Sequence, residues 1–216
     1  MDRMSRVLGT QSRWIVGVDL GQRQDYSAVA ALEVHEAAYD ERDPITADFR
    51  RELRYRVRLA ERVQLETPYT ELVRRLRAMT ADAALAGKCT LVVDATGVGA
   101  PVLELLRAAG PRCRIVPVMI TGGDQEGSDG TVYRVPKQDL MLGMQVLLEQ
   151  RKLDIAKRAG FSRELVSELG EMRATPTGFG RQRFGPASSA KHDDLVMALS
   201  LACWWVRKTG PRSWVR

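Results

Sequence analysis

Trp14-Ile15-Val16-Gly17-Val18-Asp19-Leu20-Gly21 is a short apolar run that stops at a carboxylate followed by glycine. Its length, its β-branched residues and the bounding glycine predict a buried strand. Asp19 then stands at the strand exit, where a side chain faces solvent or a ligand. Gly21 lets the backbone turn there without a steric penalty. A lone carboxylate in such a place usually bonds its own turn backbone. It becomes a candidate site only if other carboxylates converge on it, and the chain offers two more places. Thr90 to Val93 is another buried-strand run that ends at a carboxylate, Asp94. His192-Asp193-Asp194 opens a strongly apolar helix predicted over 193–207.

Working outward from the first run, a second strand is predicted at about 27–36 and a charged loop over 37–50. Tyr55, Val57 and Leu59 then alternate with Arg54, Arg56 and Arg58. That period of two predicts a third strand with one core face and one arginine-rich face. The pattern changes to helical spacing at Tyr69, Leu72, Val73 and Leu76. After Asp94 the segment Ala95-Thr96-Gly97-Val98-Gly99 turns into a second helix, closed by Gly110-Pro111. Arg114 to Ile120 is a fifth strand, followed by a Gly-rich acidic loop over 121–130, read as flexible and beside the site. Pro136 opens a third helix, Leu153-Asp154-Ile155 is a short extended piece, and a weaker helix is predicted over 162–172. A turn or hairpin is expected over 175–184.

This order predicts an α/β fold: a mixed central five-stranded sheet, three antiparallel strands and then parallel ones, flanked by helices. Ligands bind such sheets at the strand ends. One domain is expected over 13–207, with a flexible lead-in at 1–12 and a basic tail at 208–216 that carries Trp214. The 216 residues suffice for one full core. No apolar stretch has the length of a transmembrane span, so no membrane partner is expected. Lys plus Arg exceeds Asp plus Glu by 33 to 27, a net charge of +6 that favours a polyanionic partner. Cys89, Cys113 and Cys203 lie in or beside apolar runs, as buried reduced thiols do. Two histidines and no CxxC argue against structural zinc.

Three or four carboxylates meeting at one point suit Mg²⁺ or Mn²⁺, which are hard and octahedral. Two such ions about 3.5–4 Å apart are standard machinery for phosphodiester hydrolysis. Against this, Asp193 and Asp194 also suit a helix N-terminus through the macrodipole alone. Helical geometry does not choose between them.

The motifs VDLG at 18–21, VDATGVG at 93–99, VPK at 135–137 and HDDLVMAL at 192–199 resemble the nuclease domain of phage terminase large subunits. That family has an RNase H-like fold related to Holliday-junction resolvases. The resemblance implies a metal-dependent endonuclease cleaving duplex, concatemeric viral DNA during packaging. It implies two Mg²⁺ or Mn²⁺ ions at Asp19, Asp94 and Asp193, with Asp193 the direct ligand of the pair and Asp194 supporting the metal site. Asp25, Lys137 and His192 match accessory positions; Lys137 is also a candidate DNA contact, with Arg54, Arg56 and Arg58. The implied partners are a packaging ATPase, small terminase and portal, in the cytoplasm of the infected bacterial host. No GxxxxGK[ST] motif occurs, so the family's ATPase motor is expected on another segment or another chain. The alternatives are a resolvase-type or ribonuclease H-type nuclease, an actin-like nucleotide-binding protein, and a non-catalytic DNA-binding subunit.

Overall fold

Two hydrophobic clusters, one on each side of a single sheet, organise the fold. The computed structural model describes residues 6–21, 25–45, 47–97, 99–177, 181–186 and 192–210. In chain order the elements are β1 (Val7–Asp19), β2 (Ala28–Arg42), β3 (Phe49–Arg62), α1 (Tyr69–Ala81), β4 (Cys89–Asp94) and α2 (Gly99–Ala109). There follow β5 (Arg114–Thr121), β6 (Gly127–Ser128), β7 (Tyr133–Pro136), α3 (Lys137–Glu149), β8 (Leu153–Ile155) and α4 (Ser162–Glu171). The chain continues with β9 (Met172–Thr177), β10 (Arg181–Pro186) and α5 (Asp194–Thr209).

The main sheet runs β6-β7-β5-β4-β1-β2-β3-β8. β1, β2 and β3 are antiparallel neighbours, and β4 adds parallel to β1. β5 and β7 continue in the parallel sense. The expected mixed sheet is therefore present, with eight strands rather than five. The additions β6 and β7 are two and four residues long, too short to give a periodic signal, and β8 is the short extended piece expected at Leu153-Asp154-Ile155. β9 and β10 pair separately as a hairpin.

Two boundaries differ from the sequence reading. β1 begins at Val7, so residues 7–12 are strand rather than lead-in, in register with Tyr39 to His35 of β2. β2 and β3 run on to Arg42 and Phe49, where a loop over 37–50 was expected. Here the ribbon is held by side chains across its surface. Arg50 pairs with Glu41 and lies over the Tyr39 ring, and Arg42 lies over Phe49. A ribbon supported by polar cross-strand pairs lacks the apolar alternation that marks a half-buried strand. Of the basic tail, 208–209 close α5, and 211–216, with Trp214, lie outside the described residues.

α1 and α2 cover one face of the sheet, over Val16, Val18, Leu91 and Val93. α3, α4 and α5 cover the other, over Ile15, Ala30, Leu32, Val57 and Val92. α5 is buried almost all round, from Asp194 to Val206. Its seat is Gly17. A Cβ built on Gly17 would lie 1.8 Å from the Ala198 carbonyl oxygen, so helix backbone rests directly on strand backbone. Among the described residues no helix is long and apolar enough to cross a membrane. Cys89, Cys113 and Cys203 are free thiols.

Candidate active site

The alternation of β1 places Ile15, Gly17 and Asp19 on the α5 face of the sheet. Val92 and Asp94 face the same way on β4. Register brings the two carboxylates together: Val18 pairs with Val93 in the parallel ladder, so both strands release their Asp at the same level. Continuing across the sheet, Asp19 is opposite Ala28, and Ala28 is opposite Arg62. One row of the sheet thus carries Asp94, Asp19 and Arg62 on one face.

Gly17 supplies the third side. Ala198 sits over Gly17; Asp194 is four residues before Ala198, and Asp19 two residues beyond Gly17. Either step covers about 6 Å. With α5 running opposite to β1, its first turn lies over Asp19. The helix begins at Asp194, and Asp193 is its N-cap residue without a side-chain capping bond. Asp194 is 7% exposed. Asp193 is nearer the rim, where Lys137 Nζ, on the first residue of α3, donates to its Oδ2 at 2.8 Å.

Turns behind the carboxylates are closed by specific bonds. The Thr96 N–H donates to Asp94 Oδ1 at 2.8 Å, and Thr96 Oγ1 accepts from the Ile120 N–H at 2.9 Å. Beyond Asp19, the Gly21 N–H donates to Ser27 Oγ, and the Tyr69 hydroxyl donates to the Gly21 carbonyl at 2.7 Å. A Cβ on Gly21 would meet the Asp25 and Tyr26 backbone within 2.5 Å, so glycine is required at this return.

A second layer lies behind Asp194. Arg62 contacts Glu168 Oε1 directly, while its Nε is 3.6 Å from Asp194 Oδ2. Glu168 Oε2 accepts from the Leu195 and Val196 N–H groups at 3.1 and 3.2 Å, capping α5 from outside. The Arg62 guanidinium lies 5.0 Å over the Tyr26 ring, and Tyr26 meets His192 edge-on. His192 Nδ1 is 3.5 Å from Asp194 Oδ2. Asp25 is exposed, and its charge acts on Asp194.

Several residues are placed differently from expectation. Arg54, Arg56 and Arg58 point to the α1/α2 side of the sheet, away from the carboxylates. Each faces an acid: Glu52, Asp154 and Glu33. The loop over 121–130 is anchored at the far end of α5. Trp204 Nε1 donates to Glu126 Oε1, and Lys208 Nζ stands 2.8 Å from Oε2. Ten residues of helix, about 15 Å, separate Trp204 from Asp194. An acid attracted to the basic last turn of α5 accounts for this.

Arg62 and Glu168 escaped the sequence reading. Glu168 had a signal: it falls on the same helical face as Leu165 and Leu169, a carboxylate inside an apolar stripe. Arg62 was hidden by a β-bulge. The register shifts between Ala31–Leu59 and Leu32–Val57, leaving Arg58 as the extra residue. Past that point the alternation is inverted, and Arg62 turns inward.

The electrostatics follow from burial and crowding. Asp19 is held well above the usual carboxylate range by burial, then by the charges of Asp94, Asp194 and Asp193. Asp94 is raised by burial, against the hydrogen bonds from Thr96. Burial raises Asp194 too, opposed by Arg62. Glu168 is raised from 4.5 to about 7 by burial, opposed by the Val196 N–H. Raised values mean that the folded chain holds protons that the unfolded chain has released. The stability they contribute is full below the ordinary carboxylate range and lost as pH climbs through the folded values. In EDTA the melting temperature should therefore fall by about 5 °C between about pH 5 and about pH 8. A thermal-shift series checks this; a melting temperature that rises across that window would contradict the buried-carboxylate cluster.

The donor set suits a hard divalent cation: carboxylate oxygens throughout, with a surplus of negative charge. Asp194 Oδ2 is buried and has no hydrogen-bond partner. Among the described residues no three acidic, histidine or cysteine side chains stand ready-formed around one point. Asp193 accepts from Lys137 instead, and Arg62 Nε stands 3.6 Å from Asp194 Oδ2.

A mixed sheet with carboxylates at adjoining strand ends, completed by acids from a helix crossing the same face, defines an RNase H-like nuclease fold. The family model described as "Terminase RNaseH-like domain" matches residues 16–204, and the chain belongs to that family, the nuclease domains of phage DNA packaging. Its fold is similar to the nuclease domain of the large terminase subunit gp2 of bacterial virus Sf6. The TM-score is 0.60 at 13% identity, covering 88% of this chain and 87% of that one. A mutant of that domain with manganese and beta-thujaplicinol gives 0.61 at 14% identity, covering 88% and 87%. The large terminase of bacteriophage HK97 gives 0.54 at 11% identity, covering 90% of this chain and 40% of that protein. No curated protein sequence matches at a significant level.

Proposed function

We propose that the chain is a two-metal-ion endonuclease that cuts duplex, concatemeric viral DNA during genome packaging. The observation that carries this reading is the common level and face of Asp19, Asp94 and the first turn of α5. Asp19 and Asp94, at adjoining strand ends, would hold Mg²⁺ or Mn²⁺. Of the two acids on α5, Asp194 takes the inward place: it is buried, and its Oδ2 has no hydrogen-bond partner, with Arg62 Nε and His192 Nδ1 at 3.6 and 3.5 Å. This departs from the expectation that Asp193 is the direct ligand. Asp193 instead shares the rim with Lys137, whose ammonium would meet a phosphate oxygen on leaving that carboxylate. When bound, the ions supply an activated water and positive charge for the phosphodiester transition state. The protein fixes the carboxylates through the Thr96 and Gly21 turns and through the seat of α5 on Gly17. That a relative is described with manganese supports the choice of ion. By the same family reading the partners are a packaging ATPase, small terminase and portal, in the cytoplasm of the infected host.

Incubation with supercoiled plasmid tests this. Nicked and linear products are expected with Mn²⁺ or Mg²⁺ and none with EDTA. RNA–DNA hybrids and four-way junctions run as parallel substrates. Preference for either over duplex DNA would move the reading to a ribonuclease H or a resolvase, and inertness toward all of them would overturn it.

A further inference from the structure

We infer that Glu168 is a positioning residue for the cation site, acting by detaining Arg62 so that Asp194 stays free to take a cation. The inference rests on the reading of Asp194 as a ligand.

Its basis is a pair of buried atoms that face each other without joining. Arg62 Nε and Asp194 Oδ2 are both buried without a hydrogen-bond partner. They stand 3.6 Å apart, too far for a hydrogen bond between them. An unmet buried donor beside an unmet buried acceptor normally closes, because leaving either unsatisfied is costly. Here the guanidinium is held back. Its NH2 is bound by Glu168 Oε1, and its plane lies over Tyr26. Glu168 is itself fixed, because its other oxygen accepts from the first amides of α5. One carboxylate thus sets the helix that carries Asp194 and restrains the cationic side chain that competes for it.

The two tasks separate chemically. Glutamine at 168 keeps an oxygen that can accept from Leu195 and Val196. It presents an NH2 group, not an anion, to Arg62. A cap alone predicts little change from that exchange. A detained arginine predicts that Arg62 swings onto Asp194 and displaces the metal ion. Removing the side chain of Arg62 as well should then restore binding, which no purely structural role predicts.

The test is calorimetric titration of the whole chain with Mn²⁺, with melting temperature in EDTA alongside. Glu168→Gln should weaken Mn²⁺ binding about tenfold, within the range for groups that support metal ligands, while melting close to wild type. The Glu168→Gln/Arg62→Met double variant should recover to within about twofold of wild type, the competing charge being gone. Arg62→Met alone should bind Mn²⁺ at least as tightly as wild type, which keeps the test decisive even if position 168 tolerates no change. Wild-type affinity in Glu168→Gln, no recovery in the double variant, or weaker binding by Arg62→Met would each overturn the inference. Failure of the underlying site reading looks different: wild type, or wild type and Asp19→Asn alike, would show no specific Mn²⁺ uptake.

Discussion

Asp19→Asn and Asp94→Asn should each lower plasmid cleavage more than about 100-fold, beyond the usual effect of groups that merely support a ligand. Neither should unfold the chain. Both carboxylates are raised above their ordinary range, chiefly by burial, and Asp19 also by its neighbours' charges. A neutral amide of the same shape relieves that repulsion, so in EDTA each variant should melt at or above the wild-type temperature. Sites built for function commonly hold such a conflict with stability. Asp194→Asn should follow the same pattern, and Asp193→Asn should retain more activity because its partner is a rim lysine. Cleavage rates at saturating Mn²⁺, set against melting curves, decide the matter. A variant at position 19 or 94 that cuts at the wild-type rate and melts normally removes the two-metal assignment.

Gly17→Ala should be the most damaging single methyl group in the protein. The new Cβ would stand 1.8 Å from the Ala198 carbonyl oxygen, which is backbone and cannot rotate aside. α5 must lift, and it packs on β1 and β2 along its whole length. Overpacking of this kind costs about 1–3 kcal/mol, occasionally more; here the upper end is expected. A displacement near 1 Å at the first turn of α5 also shifts Asp193 and Asp194 against Asp19, a misplacement that can lower rate about 100-fold. Gly170→Ala serves as the control. It is helical, its Cβ would meet nothing within 4 Å, and it should be neutral or slightly stabilising. If Gly17→Ala melts and cleaves like wild type, the seat of α5 is not where the carboxylates are aligned.

The legible part of this molecule was its buried part. Asp19 and Asp94 were found because each ends an apolar run bounded by glycine, and the family motifs lay on the same runs. The last helix was readable because its apolar residues go nearly all round it. Polar structure was not readable in the same way. The outer ribbon of β2 and β3 owes its pairing to arginine–acid and arginine–aromatic contacts, which have no periodic signature. One bulged residue, Arg58, inverted the meaning of every alternation after it. Hence Arg62, at the site, is hidden from the alternation, whereas Arg54 and Arg56, which precede the bulge, lie on the opposite face as their period of two predicts. Choosing between Asp193 and Asp194 needed the path of α5 over Gly17, which no local pattern contains.

The docking of α5 also has a consequence in time. β1 is made before α5, and among the described residues α5 is the element that lies on Gly17. The carboxylate cluster is therefore a long-range assembly, of the kind that forms late because distant segments must be brought together before any contact rewards it. A chain still on the ribosome, or one cut before Asp194, carries Asp19 and Asp94 without their third wall. If the carboxylates hold the metal ions as proposed, a chain cut before Asp194 should show no metal-dependent cleavage of DNA.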